Sequence, residues 1–331
     1  MIDTIYVEAR VADHWRTSEI ITRFPQARVI ECADHRAVFN RRQQNFRIQK
    51  TRPALILAHK TTPRIYPVPG DQHLGAPHNY YFSHLLNCPF DCRYCFLQGM
   101  FSSANFVLFV NYEDFMDEIV EVCAQHNGLV HVFSGYDCDS LALEPLTGFA
   151  AYFVEKFVPI DNAVLELRTK STQIRSLLKI AAHDHCIVAM SLAPEVIVQQ
   201  LEHGAPSLKD RLRALRRIQD HGWSIGLRFD PLIPLNGNAA LLGEFFSTVF
   251  ANLDPDAVHS VTLGTLRLPR NFAKRMFKLY PAEPLFAGPL IDVEGTVVFR
   301  DESADNILSV AHDALTDYVS ADRIFLQHGA P

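Results

Sequence analysis

The sequence predicts an α/β protein: a partial (β/α)6 barrel with a small N-terminal lobe and a C-terminal hairpin plus helix. Two observations lead there. From about residue 80, short apolar strand-like segments alternate six times with helical ones, and such alternation builds parallel strands joined by helical crossovers. The chemistry-bearing residues also fall just after those strands, at the carboxyl ends where β/α architectures place their sites. With right-handed crossovers, six units curl into an open version of the eight-unit barrel. The chain has 331 residues, 48% of them hydrophobic, enough for one large domain with an added lobe.

Residues 1–70 read as an N-terminal α/β lobe and 71–331 as the barrel with its C-terminal additions. The lobe has a strand-like start, Thr4–Val7, a polar and basic stretch, Arg36–Arg52, and an apolar strand, Ala54–Ala58. Pro63, Pro67, Pro69 and Gly70 then break regular structure and read as a linker. The barrel strands are expected at Asn79–Leu86, Leu129–Phe133, Ala163–Arg168, Cys186–Leu192, Trp223–Phe229 and Val258–Leu266. Between them, helices are expected from Asn111 to about Gln125, from Pro145 to Phe157 and over Gln173–Ala182. Further helices read over Glu195–Glu202, Ser207–Asp220, Ala239–Ala251 and Asn271–Leu279. Ser207 is an N-cap and Gly222 a stop for the fifth of these. Ile291–Phe299 reads as a hairpin turning at Glu294-Gly295, and Ala304–Val319 as a last helix.

The densest chemical signal is Cys88, Cys92 and Cys95 in N-C-P-F-D-C-R-Y-C-F-L-Q. Three thiolates this close can hold three irons of a [4Fe–4S] cluster and leave the fourth open for S-adenosylmethionine. A structural zinc site would need a fourth ligand, and His84 is the nearby candidate. A disulfide would strand an odd cysteine. Seven cysteines without a pairing pattern or leader suggest a reduced, cytoplasmic chain. No apolar run reaches the roughly 18 residues of a membrane helix, so no membrane partner is expected. The formal charge of −6 means that the global field does not attract nucleic acid. Arg41, Arg42, Arg47, Lys50 and Arg52 form a local basic run, read first as a solvated face.

Around the cysteine loop, Tyr94 could pack on an adenine ring. Gly135 lets backbone approach a ligand. Lys170 could pair with a carboxylate. Ser134 follows the second strand, and Ser191, in an apolar strand, needs a partner. Arg168 and Asp230 are read as an ion pair across the strand ends. Cys138 is the leftover thiol best placed to react, whereas Cys32, Cys123 and Cys186 read as core.

The cysteine loop and the barrel pattern resemble the radical S-adenosylmethionine superfamily, and within it the spore photoproduct lyase family. The resemblance rests on I-Y-V-E-A-R, F-R-I-Q-K-T-R-P-A-L-I-L-A-H-K, the cluster loop with Leu97-Gln98, D-S-L-A-L-E-P-L-T, Thr169-Lys170 and Ser191. It implies a [4Fe–4S] cluster on Cys88, Cys92 and Cys95, with S-adenosylmethionine held by Tyr94, Ser134, Gly135, Lys170 and Ser191. It implies radical repair of a UV-induced thymine lesion, with damaged DNA as partner and a flavodoxin or ferredoxin as electron donor. On gap-free spacing the family's hydrogen-donor cysteine position holds Tyr136, and Cys138 lies two residues on. These two are the catalytic candidates. The assisting tyrosine position holds Phe96, and the hairpin region Phe286–Arg300 carries one cation, Arg300, with Asp292 and Glu294 as acids. Two alternatives stand beside this reading: the same radical chemistry on another substrate, or a non-catalytic, metal-stabilised binding protein.

Overall fold

A computed structural model describes residues 2–69, 74–234 and 239–327. The chain opens with β1 (Thr4–Glu8), β2 (Arg28–Cys32), β3 (Leu55–Ala58) and the short β4 (Ile65–Pro67). Next come β5 (His78–Phe82), β6 (Leu85–Leu86), β7 (Asp91–Cys92) and β8 (Phe106–Phe109). β9 (Val130–Ser134), β10 (Ala163–Thr169), β11 (Cys186–Ser191), β12 (Glu202–His203), β13 (Ser224–Leu232) and β14 (Val258–Thr265) follow. β15 (Arg267–Pro269), β16 (Leu290–Val293), β17 (Thr296–Phe299) and β18 (Ile324–Gln327) complete the set.

The large sheet has the order β18-β14-β13-β11-β10-β9-β5-β4. Its six central strands, from β5 to β14, are parallel and neighbour one another in chain order. This is the expected partial (β/α)6 barrel. Two strands lay beyond the sequence reading: β18 adds a further parallel strand beside β14, and β4 covers the other edge antiparallel to β5.

The helices seal the outer face. In the helix Phe149–Phe157, phenylalanines at 149, 153 and 157 recur every fourth residue and are fully buried, with Phe82 of β5 packed on Phe153 at 5.1 Å. Each such ring contributes ~1.5–3 kcal/mol by leaving water. The helix Leu208–Asp220 begins as expected, with the Ser207 hydroxyl accepting from the Asp210 N–H. Asn111, at the start of the helix Tyr112–Ala124, makes no capping bond with its side chain. Its side chain donates to the Lys60 carbonyl and to Asp114, tying the lobe to the barrel instead.

The expected helix over Gln173–Ala182 is reduced to one 3-10 turn, Leu177–Lys179. The Thr169 and Ser171 hydroxyls accept from the N–H groups of Ser171 and Gln173, and such local bonds compete with helix formation. The expected strand Asn79–Leu86 divides. β5 belongs to the barrel, while β6 pairs with β8 in the lobe sheet, whose order is β2-β1-β3-β8-β6. The sheet that starts in residues 1–70 therefore takes strands from beyond them. Gly70 and the 70/71 join lie outside the described residues. The C-terminal hairpin turns at Glu294 and Gly295, both at positive φ (49° and 96°), the turn class that matches strand twist. The last helix spans Asp301–Leu315. Among the described residues no helix is long and apolar enough to cross a membrane.

Candidate active site

The loop after β5 is held from five directions. Asn87, at φ 72°, donates its side-chain amide to the carbonyls of Ser103 (2.8 Å) and Asn105 (2.7 Å). Its N–H reaches the Asp137 carbonyl at 2.9 Å, fastening the cysteine loop to the loop after β9. β7 pairs antiparallel with β12, setting Cys92 opposite Glu202. Lys50 comes over from the lobe helix Phe46–Thr51 and donates its ammonium to the carbonyls of Cys88 (3.2 Å) and Phe90 (2.9 Å). From the C-terminal side, the Tyr280 hydroxyl meets Asp91 (3.2 Å) and Gln98 (3.0 Å). The basic run is thus not a uniform solvated face. Arg41, Arg42 and Arg47 are exposed, but Lys50 enters the site.

Cys88, Cys92 and Cys95 line one cavity of about 240 Å³ with Tyr94, Ser134, Gly135, Tyr136, Cys138, Lys170 and Ser191. Every residue singled out from the sequence for the cluster, the cofactor or catalysis reaches this wall. His84 does not. Its ring is buried and stacked on Phe149 at 3.7 Å, and burial pushes its pKa down to about 3. A zinc site completed by His84 is therefore unsupported. Among the described residues no three His, Cys, Asp or Glu side chains close on a point as ligands of one metal ion do. A cubane spreads its thiolates more widely than a single ion does. Burial raises all three thiols, Cys92 to about 12 and Cys88 well above its usual range. Three adjacent thiolates, one buried and two half-buried, need a cationic centre to exist together, which an iron–sulfur cluster supplies. The donor set fits that group.

Beside the thiols lies a buried charge network. Glu202 accepts from the Tyr94 hydroxyl and from Arg211, and lies 4.0 Å from the Lys170 ammonium. Arg211, fully buried, also donates to the Ser191 carbonyl at 3.1 Å. Burial works against the Glu202 carboxylate, but Lys170 and Arg211 outweigh it and hold its pKa below the usual range. Burial likewise opposes the Lys170 charge, and Glu202 keeps it raised. Lys170 also sits 5.5 Å from the Tyr94 ring. Asp139 orders the strand ends: it accepts from the Thr169 hydroxyl (2.6 Å), the Lys170 N–H (2.6 Å) and two N–H groups of its own loop.

Gly135 has φ 84°, and a Cβ there would lie 2.6 Å from the Ser140 hydroxyl and 2.9 Å from the Arg168 carbonyl. Its small size makes room for the protein's own loop. The Ser134 hydroxyl meets that of Ser140 at 2.7 Å and donates to the Glu166 carbonyl. Arg168 and Asp230 do not pair as expected. Arg168 binds Glu166 (2.8 Å), and Asp230 binds Arg267 (2.8 Å). The reason is reach along each strand end: Glu166 is two residues from Arg168 on β10, and Arg267 follows β14 beside Asp230. In the same cavity, Tyr136 packs on Tyr81 (4.4 Å) and Phe96 (5.6 Å), and Arg168 lies over Phe133 at 4.6 Å.

Glu202 and Arg211 carry no local signal in the sequence. Lys50 and Asp139 fall within segments that carry the family resemblance, Lys50 also in the basic run, but no role at the site was read for either.

Fold and cavity define a class: an open β/α barrel whose first strand leads into a three-thiol loop, with polar strand ends gathered round it. The family model described as spore photoproduct lyase matches residues 3–285, and the chain belongs to the spore photoproduct lyase family. It is 24% identical over 156 residues to the spore photoproduct lyase of Clostridium acetobutylicum (46% of each chain). It is 22% identical over 202 residues to that of Bacillus subtilis (60% of this chain, 59% of the relative). The matched part thus spans about half the length of these curated relatives. A solved spore photoproduct lyase variant with bound AdoMet and dinucleoside spore photoproduct superimposes with a TM-score of 0.84 at 18% identity, covering 99% of this chain and 98% of that one. A spore photoproduct lyase complexed with dinucleoside spore photoproduct gives 0.82 at 17% over the same shares. At these identities the likeness is one of fold.

Proposed function

We propose that this chain is a radical S-adenosylmethionine lyase that reverses a UV-induced thymine lesion in DNA, the spore photoproduct. The observation that carries the reading is the gathering of Cys88, Cys92, Cys95, Cys138, Lys170 and Ser191 on one cavity wall from four separate chain segments. When bound, the cluster that Cys88, Cys92 and Cys95 would hold would supply the single electron needed to cleave S-adenosylmethionine into methionine and a 5′-deoxyadenosyl radical.

The chain's own residues do the rest. Cys88, Cys92 and Cys95 hold the cluster, and Lys50 fixes the carbonyls of their loop. Lys170, kept cationic by Glu202, pairs with the methionine carboxylate. Ser191 and the Ser134-Gly135 segment border the cofactor, and Tyr94 flanks it. The aromatic side of Tyr81, Phe96 and Tyr136 receives the pyrimidines. Cys138 is 5% exposed, and burial, then Asp137 and Asp139, push its pKa far above the usual thiol range. It therefore carries its hydrogen at neutral pH, as a hydrogen-atom donor must. Tyr136 likewise keeps its phenolic proton, its pKa raised to about 12 by burial, and serves as the neighbouring candidate. None of the seven cysteines forms a disulfide, which suits a reducing cytoplasm, and a flavodoxin or ferredoxin is the electron source of this reading.

A second reading, the same chemistry on a different substrate, is favoured by Phe96. It lines the cavity but has no hydroxyl to relay a hydrogen. The test is anaerobic reconstitution with iron and sulfide, then assay of 5′-deoxyadenosine and of thymine release with dinucleoside spore photoproduct. 5′-Deoxyadenosine without lesion turnover favours the second reading.

A further inference from the structure

A second cavity, about 270 Å³, lies in the N-terminal lobe and shares no lining residue with the first. Topology places it. β1, β2 and β3 are parallel, with β1 between the other two. The chain leaves β1 for β2 on one side and returns to β3 on the other. The crevice beyond the carboxyl ends of β1 and β3 is therefore a switch point, where open α/β sheets bind ligands. Its walls come from the residues that follow each strand: Arg10 after β1, His35 and Arg36 after β2, and His59 and Lys60 after β3.

The charges in the crevice do not cancel. Glu8, at the end of β1, meets the His35 ring at 2.9 Å, and Asp34 is bound by Arg36 at 2.8 Å. Both acids have partners, and the three cations of the lining, Arg10, Arg36 and Lys60, outnumber its two acids by one. His59 Nδ1 is buried with no hydrogen-bond partner among the described residues. A buried polar atom of that kind wants one. The floor is aromatic: Phe39 packs on Phe101 at 5.2 Å, and Phe109 lies 5.5 Å from the His35 ring and 5.3 Å from the Lys60 ammonium. Cations at the rim and an apolar floor suit an amphipathic anion with a flat apolar part; His59 Nε2 faces Asp114 at 3.2 Å, which leaves Nδ1 as an acceptor for a donor group on that part.

We propose that this crevice binds a phosphate-bearing nucleotide, its phosphate on Arg10 and Lys60 and its base against the phenylalanines. The phosphate has two sources, a free mononucleotide or a unit of a DNA strand, and the recognising chemistry is the same. The site is separate from the cysteine-lined cavity and does not rest on the function proposed for it.

The test is calorimetric titration of the full chain with dGMP and, separately, with a 5′-phosphorylated hexanucleotide. At least one should bind. Its affinity should fall about tenfold or more in Arg10→Glu and in Lys60→Ala, the expected loss of a charge-assisted contact. Affinity should be unchanged in Arg213→Ala, an exposed residue that lines neither cavity. Binding of dGMP identifies a free nucleotide as the source, and binding of the oligonucleotide alone identifies the strand; either supports the site. Arg10 is exposed, so its variant should fold even if the Lys60 variant does not. No binding by either probe, or binding that Arg213→Ala weakens while Arg10→Glu leaves it intact, overturns the proposal.

Discussion

Glu202→Gln tests the charge network beside the cluster loop. The substitution keeps the side chain's volume and an acceptor oxygen but removes the negative charge. In the native chain Glu202 is 2% exposed and Arg211 0%, so water cannot replace the lost partner. Breaking a buried pair by deleting one charge costs about 3–5 kcal/mol, because the other charge remains buried and unpaired. For a chain of this length about 2 °C of melting temperature is lost per kcal/mol, so the expected drop is roughly 6–10 °C. The pH dependence has a definite sign. The folded Glu202 carboxyl has a lowered pKa, so its contribution is complete above the unfolded carboxyl value of about 4.3 and fades as pH falls toward the folded value. Thermal melts of both proteins at neutral pH and near pH 4 check this. The gap should be full at neutral pH and narrower in acid. A variant melting within about 1 °C of the parent at neutral pH would refute the reasoning, because Arg211 would then not be desolvated.

Other expectations follow from the same contacts. Lys50→Met removes a cation that donates to two carbonyls of the cluster loop; reconstituted protein should lose iron faster on chelator challenge and show a more negative cluster potential. Cys138→Ala should leave 5′-deoxyadenosine formation intact while diverting lesion products, measured by chromatography; unchanged products would make Cys138 a packing residue. Gly99→Ala should destabilise the fold by about 1–3 kcal/mol or more in urea melts. A Cβ at Gly99 would meet the Phe272 backbone, lying 2.8 Å from its Cα, and backbone cannot step aside.

Local signals were the legible ones. The three cysteines sit within eight residues, so their spacing states the ligand set without any tertiary information. The strand–helix alternation named six barrel strands, because each carries its own apolar run and stop signals. The hairpin at Glu294-Gly295 was equally local. What escaped depends on partners distant in sequence. Lys50 looks like one cation in a basic run until its helix is set 38 residues away against Cys88. Glu202 and Arg211 look like surface charges of two helices until β12 pairs with β7. β18 reads weakly because it is short and found its place only by joining an existing edge. The Gln173–Ala182 segment had helical periodicity, yet hydroxyls at Thr169 and Ser171 captured its first amides.

The central claim is that Cys88, Cys92 and Cys95 hold a redox-active cluster with one open iron. The most direct measurement pairs iron content with 5′-deoxyadenosine production after anaerobic reconstitution and reduction, in the parent and in Cys92→Ala. The account predicts about four irons per chain and steady 5′-deoxyadenosine from the parent, with both lost in a variant whose circular dichroism is native. A parent that takes up no iron, or a variant that forms 5′-deoxyadenosine at the parental rate, would contradict it.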